Sequence, residues 1–386
     1  MINNTERLLI KVIFHSSGED RNLAKYILDK MDNVKFINTF IKKILYSKSK
    51  NIKLFFAPRY EKIKYIQDKK DYTKLHTTVV MMVRNEHDRM HDIMRHLCSL
   101  FDRIVVIDHH SDDDTSKIAL AYQNISNTEV IVLQGMDEGY YQSEYMTACA
   151  NALIQENKTD WLFFLDADEF LPFHDAQDFQ NALTQYSAFP FIHMPWRNIA
   201  LKNLDPETVQ GAEGIIGPSS HLAKTAIHVP LVQHTKIIVN PGNHTVSLPN
   251  FNTKIPTIEA FNLYHIPILG KKALEKKVTQ GIQAYEQVAN KRQSMGFHWR
   301  EISNDISEIT SNDDLIKGVA IDYSNSLSSI ISRVIDGTIM NGCEDITISI
   351  SQTNKSYQEN NTHIPSFSLK DINDVMNNIF SKVSNT

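Results

Sequence analysis

Residues 161–171 read Trp161-Leu162-Phe163-Phe164-Leu165-Asp166-Ala167-Asp168-Glu169-Phe170-Leu171. The apolar run Trp161 to Leu165 fits a strand buried on both faces, as strands of parallel sheets are. It runs directly into carboxylates. If strand geometry continues, side chains alternate with period two, and Asp166 and Asp168 point to the same side. Two such carboxylates can hold Mg²⁺ or Mn²⁺, which prefer oxygen ligands and keep waters and substrate phosphates in their shell. Acidic residues after a strand also cap helices, so a D-x-D acquires meaning only from its surroundings.

Upstream, those surroundings alternate. Val79 to Val83 is an apolar, β-branched run, followed by a helical period that puts Met90, Ile93, Met94, Leu97, Leu100 and Phe101 on one face. Ile104 to Ile107 makes a second strand ending at Asp108. The polar turn His109 to Asp114 then leads into a helix near Thr115, whose start suits Ser111 and the acidic residues. Glu129 to Leu133 is a third strand, and Tyr141 to Gln155 a helix whose Ala148, Ala150 and Ala152 permit close packing. This alternation predicts an α/β fold with an open, mostly parallel sheet and helices on both faces. Ligands of such sheets gather outside the carboxyl ends of the strands. Arg84-Asn85-Glu86, Asp108 to Asp114 and Asp166 to Glu169 are therefore expected to converge in one cleft.

Downstream of Phe173 the alternation weakens. Phe191 to Leu269 reads as loops and irregular sheet, Leu274 to Arg292 as a charged helix, and the stretch from Ser303 as polar without a chemical signature. The expected organisation is an N-terminal extension over 1–74, a catalytic domain over 75–292, and a helical, polar C-terminal extension over 293–386. A net charge of −5, from 40 basic and 45 acidic residues, supplies no positive field for nucleic acid. Cys98, Cys149 and Cys343 form neither a metal pattern nor a disulfide framework, which fits a reducing compartment. Met1 to Phe14 lacks the plan of a signal peptide, and no stretch reaches the roughly 18 apolar residues of a membrane span. A cytoplasmic location follows as an expectation. The lysine-rich, apolar stretch Phe40 to Tyr65 fits either a solvated helix face or peripheral contact with the inner face of a membrane.

Together, Val83-Arg84-Asn85-Glu86, Val105-Val106-Ile107-Asp108 with Ser111 and Asp114-Thr115, and Leu165 to Phe170 resemble bacterial family 2-like glycosyltransferases of the GT-A fold. The resemblance covers about Thr77 to Tyr285. It implies a nucleotide-sugar donor, usually a uridine diphosphate sugar, with a divalent metal, Mn²⁺ or Mg²⁺, at the D-x-D. Carried over by position, it puts Arg84, Asn85, Glu86, Asp108 and Ser111 around the nucleoside. Asp168 becomes the principal metal ligand, and Asp166 faces both ribose and metal. His109 and His110 depart from the Asp, Asn or Gly common there.

Looser likenesses are Pro195-Trp196-Arg197, Gly242-Asn243-His244 and Tyr264-His265-Ile266-Pro267 with Lys271, Lys272 and Lys277. Enzymes of this fold often add a histidine to the metal, and His244 is the first candidate, His265 the second. Lys271 and Lys277 are read either as cations for the donor phosphates or as a solvated helix face. Trp196 is read as a sugar-stacking or a sheet-supporting residue. For an inverting displacement a carboxylate must take the acceptor proton. Glu213, flanked by Gly211 and Gly214, ranks ahead of Glu207 and Asp205. The expected acceptor is a glycan or lipid-linked hydroxyl, in surface polysaccharide synthesis by analogy. A metal-dependent phosphohydrolase and an inactive nucleotide-sugar or glycan-binding module are the alternatives.

Overall fold

The structure, a computed structural model, describes residues 74–123, 128–187, 189–233, 235–249, 257–286, 297–323, 325–353 and 364–382. The stretch from Phe40 to Tyr65 lies outside them. Four parallel strands carry the alternation: β1 Thr77–Val83, β2 Arg103–His109, β3 Glu129–Gly135 and β4 Trp161–Phe164, side by side in the order 3-2-1-4. Val79 and Val80 in β1 and every residue of β4 are buried, as strands covered on both faces require. The crossovers are α1 His87–Leu100, α2 Thr115–Ala121 and α3 Gln142–Glu156. Right-handed connection puts α1 and α2 on one face and, because the order reverses after β3, α3 on the other. The expected apolar face of α1 is buried.

After β4 come β5 Glu169–Phe170 and α4 Ala176–Gln185. The irregular sheet expected over Phe191 to Leu269 is in fact dominated by a long antiparallel hairpin, β6 Phe191–Leu201 and β7 Glu213–His228, with register shifts around Arg197. Proline, glycine and histidine in this stretch obscure the strand period. β7 also runs antiparallel to β4, pairing Trp161 with His228 and Phe163 with Ala226. Short elements follow: α5 Val229–Val232, β8 Ile238–Val239, a 3₁₀ turn Pro241–Asn243, β9 Val246–Ser247, β10 Ile258–Glu259 and β11 Leu263–His265. β11 lies between β6 and β5, setting His265 opposite Glu169.

The C-terminal third holds α6 Lys271–Glu286, α7 Phe297–Asn304, α8 Ile306–Ser311, α9 Asp313–Ile321 and α10 Leu327–Ile335. Leu274, Val278, Trp299, Ile316, Val319 and Ile330 bury a second, smaller core among them. The chain then returns to the main sheet. β12 Glu344–Thr347 pairs with β7, β13 Ser366–Phe367 extends the sheet beyond β3, and α11 Ile372–Lys382 packs on α3. Among the described residues no helix is long and apolar enough to cross a membrane.

Candidate active site

The strand ends where the carboxylates begin. Glu169 N–H donates to the Asp166 carbonyl at 3.2 Å, and Asp166 N–H to Glu169 Oε2 at 2.9 Å, so Asp166 to Glu169 form a tight turn. Strand alternation therefore does not orient the two aspartates. The turn does, and both line one cavity of about 360 Å³ at the carboxyl ends of β1 and β4.

Each aspartate faces an ammonium. Continuing the β4–β7 register sets Lys224 level with Leu165, and its Nζ lies 2.5 Å from Asp166 Oδ2 and 3.3 Å from Glu169 Oε1. Lys224 also donates to the Gly242 carbonyl at 2.8 Å and is fully buried. Burial alone would lower its pKa, but Asp166 and Glu169 lift it to about 12. Glu169 is sealed underneath, and burial pushes its pKa up to about 8 against the pull of Lys224. Lys277, from α6, puts Nζ 2.5 Å from Asp168 Oδ2, 3.2 Å from the Pro267 carbonyl and 5.0 Å from the Tyr323 ring centre. Lys271 is 47% exposed, whereas Lys277 is turned onto Asp168.

His265 completes the group. Ile266 N–H donates to the Asp168 carbonyl at 2.9 Å, which fixes β11 beside the turn. His265 Nε2 lies 3.5 Å from Asp168 Oδ2, Nδ1 lies 2.8 Å from Asn198 Oδ1, and Trp196 stacks on the ring at 4.1 Å. Trp196 thus braces the histidine while lining the cavity. His244, ranked first from sequence, lines the same cavity but stands outside the group of Asp168, Glu169 and His265, whose ligand atoms lie within 4.8 Å of one another.

At the β1 end, Arg84 and Glu86 line the cavity. Arg84 Nε and Nη1 are buried without a hydrogen-bond partner among the described residues. Desolvated cationic donors left open in this way suit an anionic or carbonyl-bearing ligand. Glu86 is bound by Arg89 at 3.0 Å, and burial raises its pKa. Asn85, Ser111 and Asp108 do not line the cavity. Asn85, at a φ of 56°, donates its N–H to Ser111 Oγ at 2.8 Å and accepts from Asp112 N–H at 2.7 Å. Asp108 is buried and accepts from Ser111 N–H at 3.0 Å. These three knit the loops after β1 and β2 together, and His109 lines the cavity instead.

The carboxylates ranked as bases lie elsewhere. Asp205, Glu207 and Glu213 are exposed and do not line the cavity. Glu213 opens β7 at the far end of the hairpin, where its carbonyl accepts from Lys202 N–H and Thr347 pairs with it. Gly214 permits close approach of its own hairpin, since a Cβ there would meet Ile199 Cγ2 at 2.8 Å. Sequence analysis missed Lys224, Arg89, Trp299 and Tyr323. A lone lysine in the apolar run Ala223 to Ile227 signals Lys224. The stretch from Ser303, read as chemically silent, supplies Tyr323 to the cavity wall.

These side chains fit a divalent cation. Asp166, Asp168 and His265 line one cavity with two carboxylates and an imidazole. The contact of Nδ1 with Asn198 leaves His265 Nε2 as the nitrogen facing Asp168, the arrangement in which a histidine ligand is held by its other nitrogen.

Residues 78–193, under a third of the chain, match the family model described as Glycosyl transferase family 2, and this match supports a glycosyltransferase family 2-like protein. The match spans β1 through the start of β6 and takes in both aspartates. The large, mostly parallel sheet flanked by helices agrees with a GT-A, Rossmann-like fold. No curated protein matches the chain.

Proposed function

We propose that this glycosyltransferase moves a sugar from a nucleoside diphosphate donor, a uridine diphosphate sugar, to an acceptor hydroxyl, with inversion and with Mn²⁺ or Mg²⁺ at Asp166, Asp168 and His265. The observation that carries the reading is the convergence of Asp166, Asp168, His265 and Lys277 around one cavity with Arg84, whose Nε and Nη1 have no hydrogen-bond partner among the described residues. When bound, the cation neutralises charge that develops on the departing diphosphate. Lys277 supplies a second positive charge from a flexible stem, and Arg84 and Glu86 line the end of the cavity suited to the nucleoside. Trp299 and Tyr323 also line the cavity, which supports a contribution of the C-terminal part of the chain to the site.

A glycan or lipid-linked acceptor, a role in surface polysaccharide synthesis, and a cytoplasmic location with peripheral membrane contact through residues 1–74 complete the proposal. The experiment is nucleotide release from a panel of UDP-sugars, with EDTA and then Mn²⁺ added back. Release that stops with EDTA and returns with Mn²⁺ supports it. Release of inorganic phosphate instead would favour the phosphohydrolase. Binding without release would favour an inactive module.

A further inference from the structure

The cavity-lining carboxylates among the described residues are already paired. Arg89 Nε lies 3.0 Å from Glu86, Lys224 Nζ 2.5 Å from Asp166, and Lys277 Nζ 2.5 Å from Asp168. None is an open base toward an acceptor, and the carboxylates expected for that role lie outside the cavity.

His244 is placed differently. It follows the 3₁₀ turn Pro241–Asn243 and stands edge-on to Trp196, with ring centres 5.2 Å apart. Its Nδ1 lies 3.0 Å from the Ala223 carbonyl oxygen. A carbonyl only accepts, so Nδ1 carries the proton and Nε2 keeps its lone pair. No group among the described residues hydrogen-bonds Nε2. Gly242 makes room for that edge of the ring, since a Cβ there would meet His244 Cδ2 at 2.5 Å and Nε2 at 2.6 Å. Burial and then Lys224 lower the ring's pKa, His265 adds to this, and Asp166 opposes it. The net lowering favours the neutral imidazole, the state a base requires.

We infer that His244 Nε2 is the general base of the transfer, an assignment that rests on the function proposed above. The acceptor oxygen bonds to the anomeric carbon while the bond from that carbon to the diphosphate oxygen breaks, and the electron pair leaves with the diphosphate. The acceptor's proton passes to Nε2. The imidazolium so formed keeps its Nδ1–H on the Ala223 carbonyl and afterwards releases a proton to water. A backbone-anchored Nδ1–H holds the ring in one orientation through both protonation states.

The test uses the full chain with UDP-glucose, UDP-galactose and UDP-N-acetylglucosamine, with water as acceptor and released UDP as readout. His244→Gln and His244→Asn are expected to lower kcat by about 100-fold or more. KM and Mn²⁺-dependent UDP affinity are expected to stay within about threefold of wild type, which also reports correct folding. The acidic limb of the wild-type kcat profile should vanish in both variants, and imidazole should partly restore His244→Ala. Wild-type turnover in the variants overturns the assignment. So does loss of Mn²⁺-dependent UDP binding of the kind Asp168→Ala produces, which would make His244 a metal ligand. A wild-type protein that neither binds UDP nor hydrolyses these donors overturns the functional reading itself, and this assignment with it.

Discussion

Lys277 Nζ and Asp168 Oδ2 lie 2.5 Å apart, so the carboxylate best placed for a divalent cation already holds an ammonium. Burial alone would raise the pKa of Asp168, but Lys277, His265 and Arg89 outweigh it and keep the group well below the usual carboxylate range. A cation bound at Asp168 as proposed would therefore compete with the lysine for one oxygen. Lys277→Met is expected to cost roughly 1–3 kcal/mol of stability without metal and to weaken UDP binding. Mn²⁺ should stabilise this variant more than wild type. Thermal melts with and without Mn²⁺ decide it, and an equal metal response in both proteins would show that the lysine and the cation do not share Asp168.

Lys224 is the stronger structural element, since it is fully buried and bridges Asp166, Glu169 and the Gly242 carbonyl. Lys224→Met leaves the buried Glu169 and the half-buried Asp166 without their cation and is expected to cost about 3–5 kcal/mol. Urea denaturation measures this. A loss below about 1 kcal/mol would mean that the ion pair contributes no more than a surface one.

His96 links three parts of the chain away from the aspartates. Its Nδ1 bonds the Ser351 carbonyl at 3.0 Å, and Leu171 N–H donates to its Nε2 at 2.9 Å. Burial lowers its pKa from 6.5 to about 4. The unfolded chain thus takes up this proton first as pH falls. Stability from His96 is complete above about pH 6.5 and is lost progressively toward pH 4, by about 3 kcal/mol in all. Denaturation at pH 7 and pH 4.5 should show this drop in wild type and a smaller one in His96→Gln. Equal drops would remove His96 as the source.

Glu213→Gln is expected to leave UDP release from UDP-sugars unchanged. Its side chain is exposed at the remote end of the β6–β7 hairpin, outside the cavity. A severe loss of turnover with folding intact would return Glu213 to the mechanism.

β1, β2 and β4 were legible because they are buried on both faces, which writes Val79 to Val83 and Trp161 to Leu165 as unbroken apolar runs. Convergence of the strand-end clusters was expected from the sheet, and Arg84, Glu86, His109, Asp166 and Asp168 line one cavity whereas Asn85, Asp108 and Ser111 do not. What the sequence hid was long-range pairing. Lys224 reaches Asp166 only because β7 lies antiparallel to β4, and His265 reaches Asp168 only because β11 is wedged between β6 and β5. Neither register leaves a local pattern. Glu213 looked like a loop base because flanking glycines suggest open backbone, whereas Gly214 serves a tight strand crossing. Tyr323 was invisible for the same reason: a tyrosine in a polar stretch says nothing about which cavity it will close.

The central claim is that Asp168 anchors a nucleoside diphosphate through a divalent cation. Calorimetric titration with UDP, with and without Mn²⁺, on wild type and Asp168→Ala tests it most directly. Saturable binding by wild type that needs Mn²⁺ and disappears in Asp168→Ala is the expected result. UDP binding by folded wild type that is indifferent to Mn²⁺ and unchanged in Asp168→Ala would contradict it.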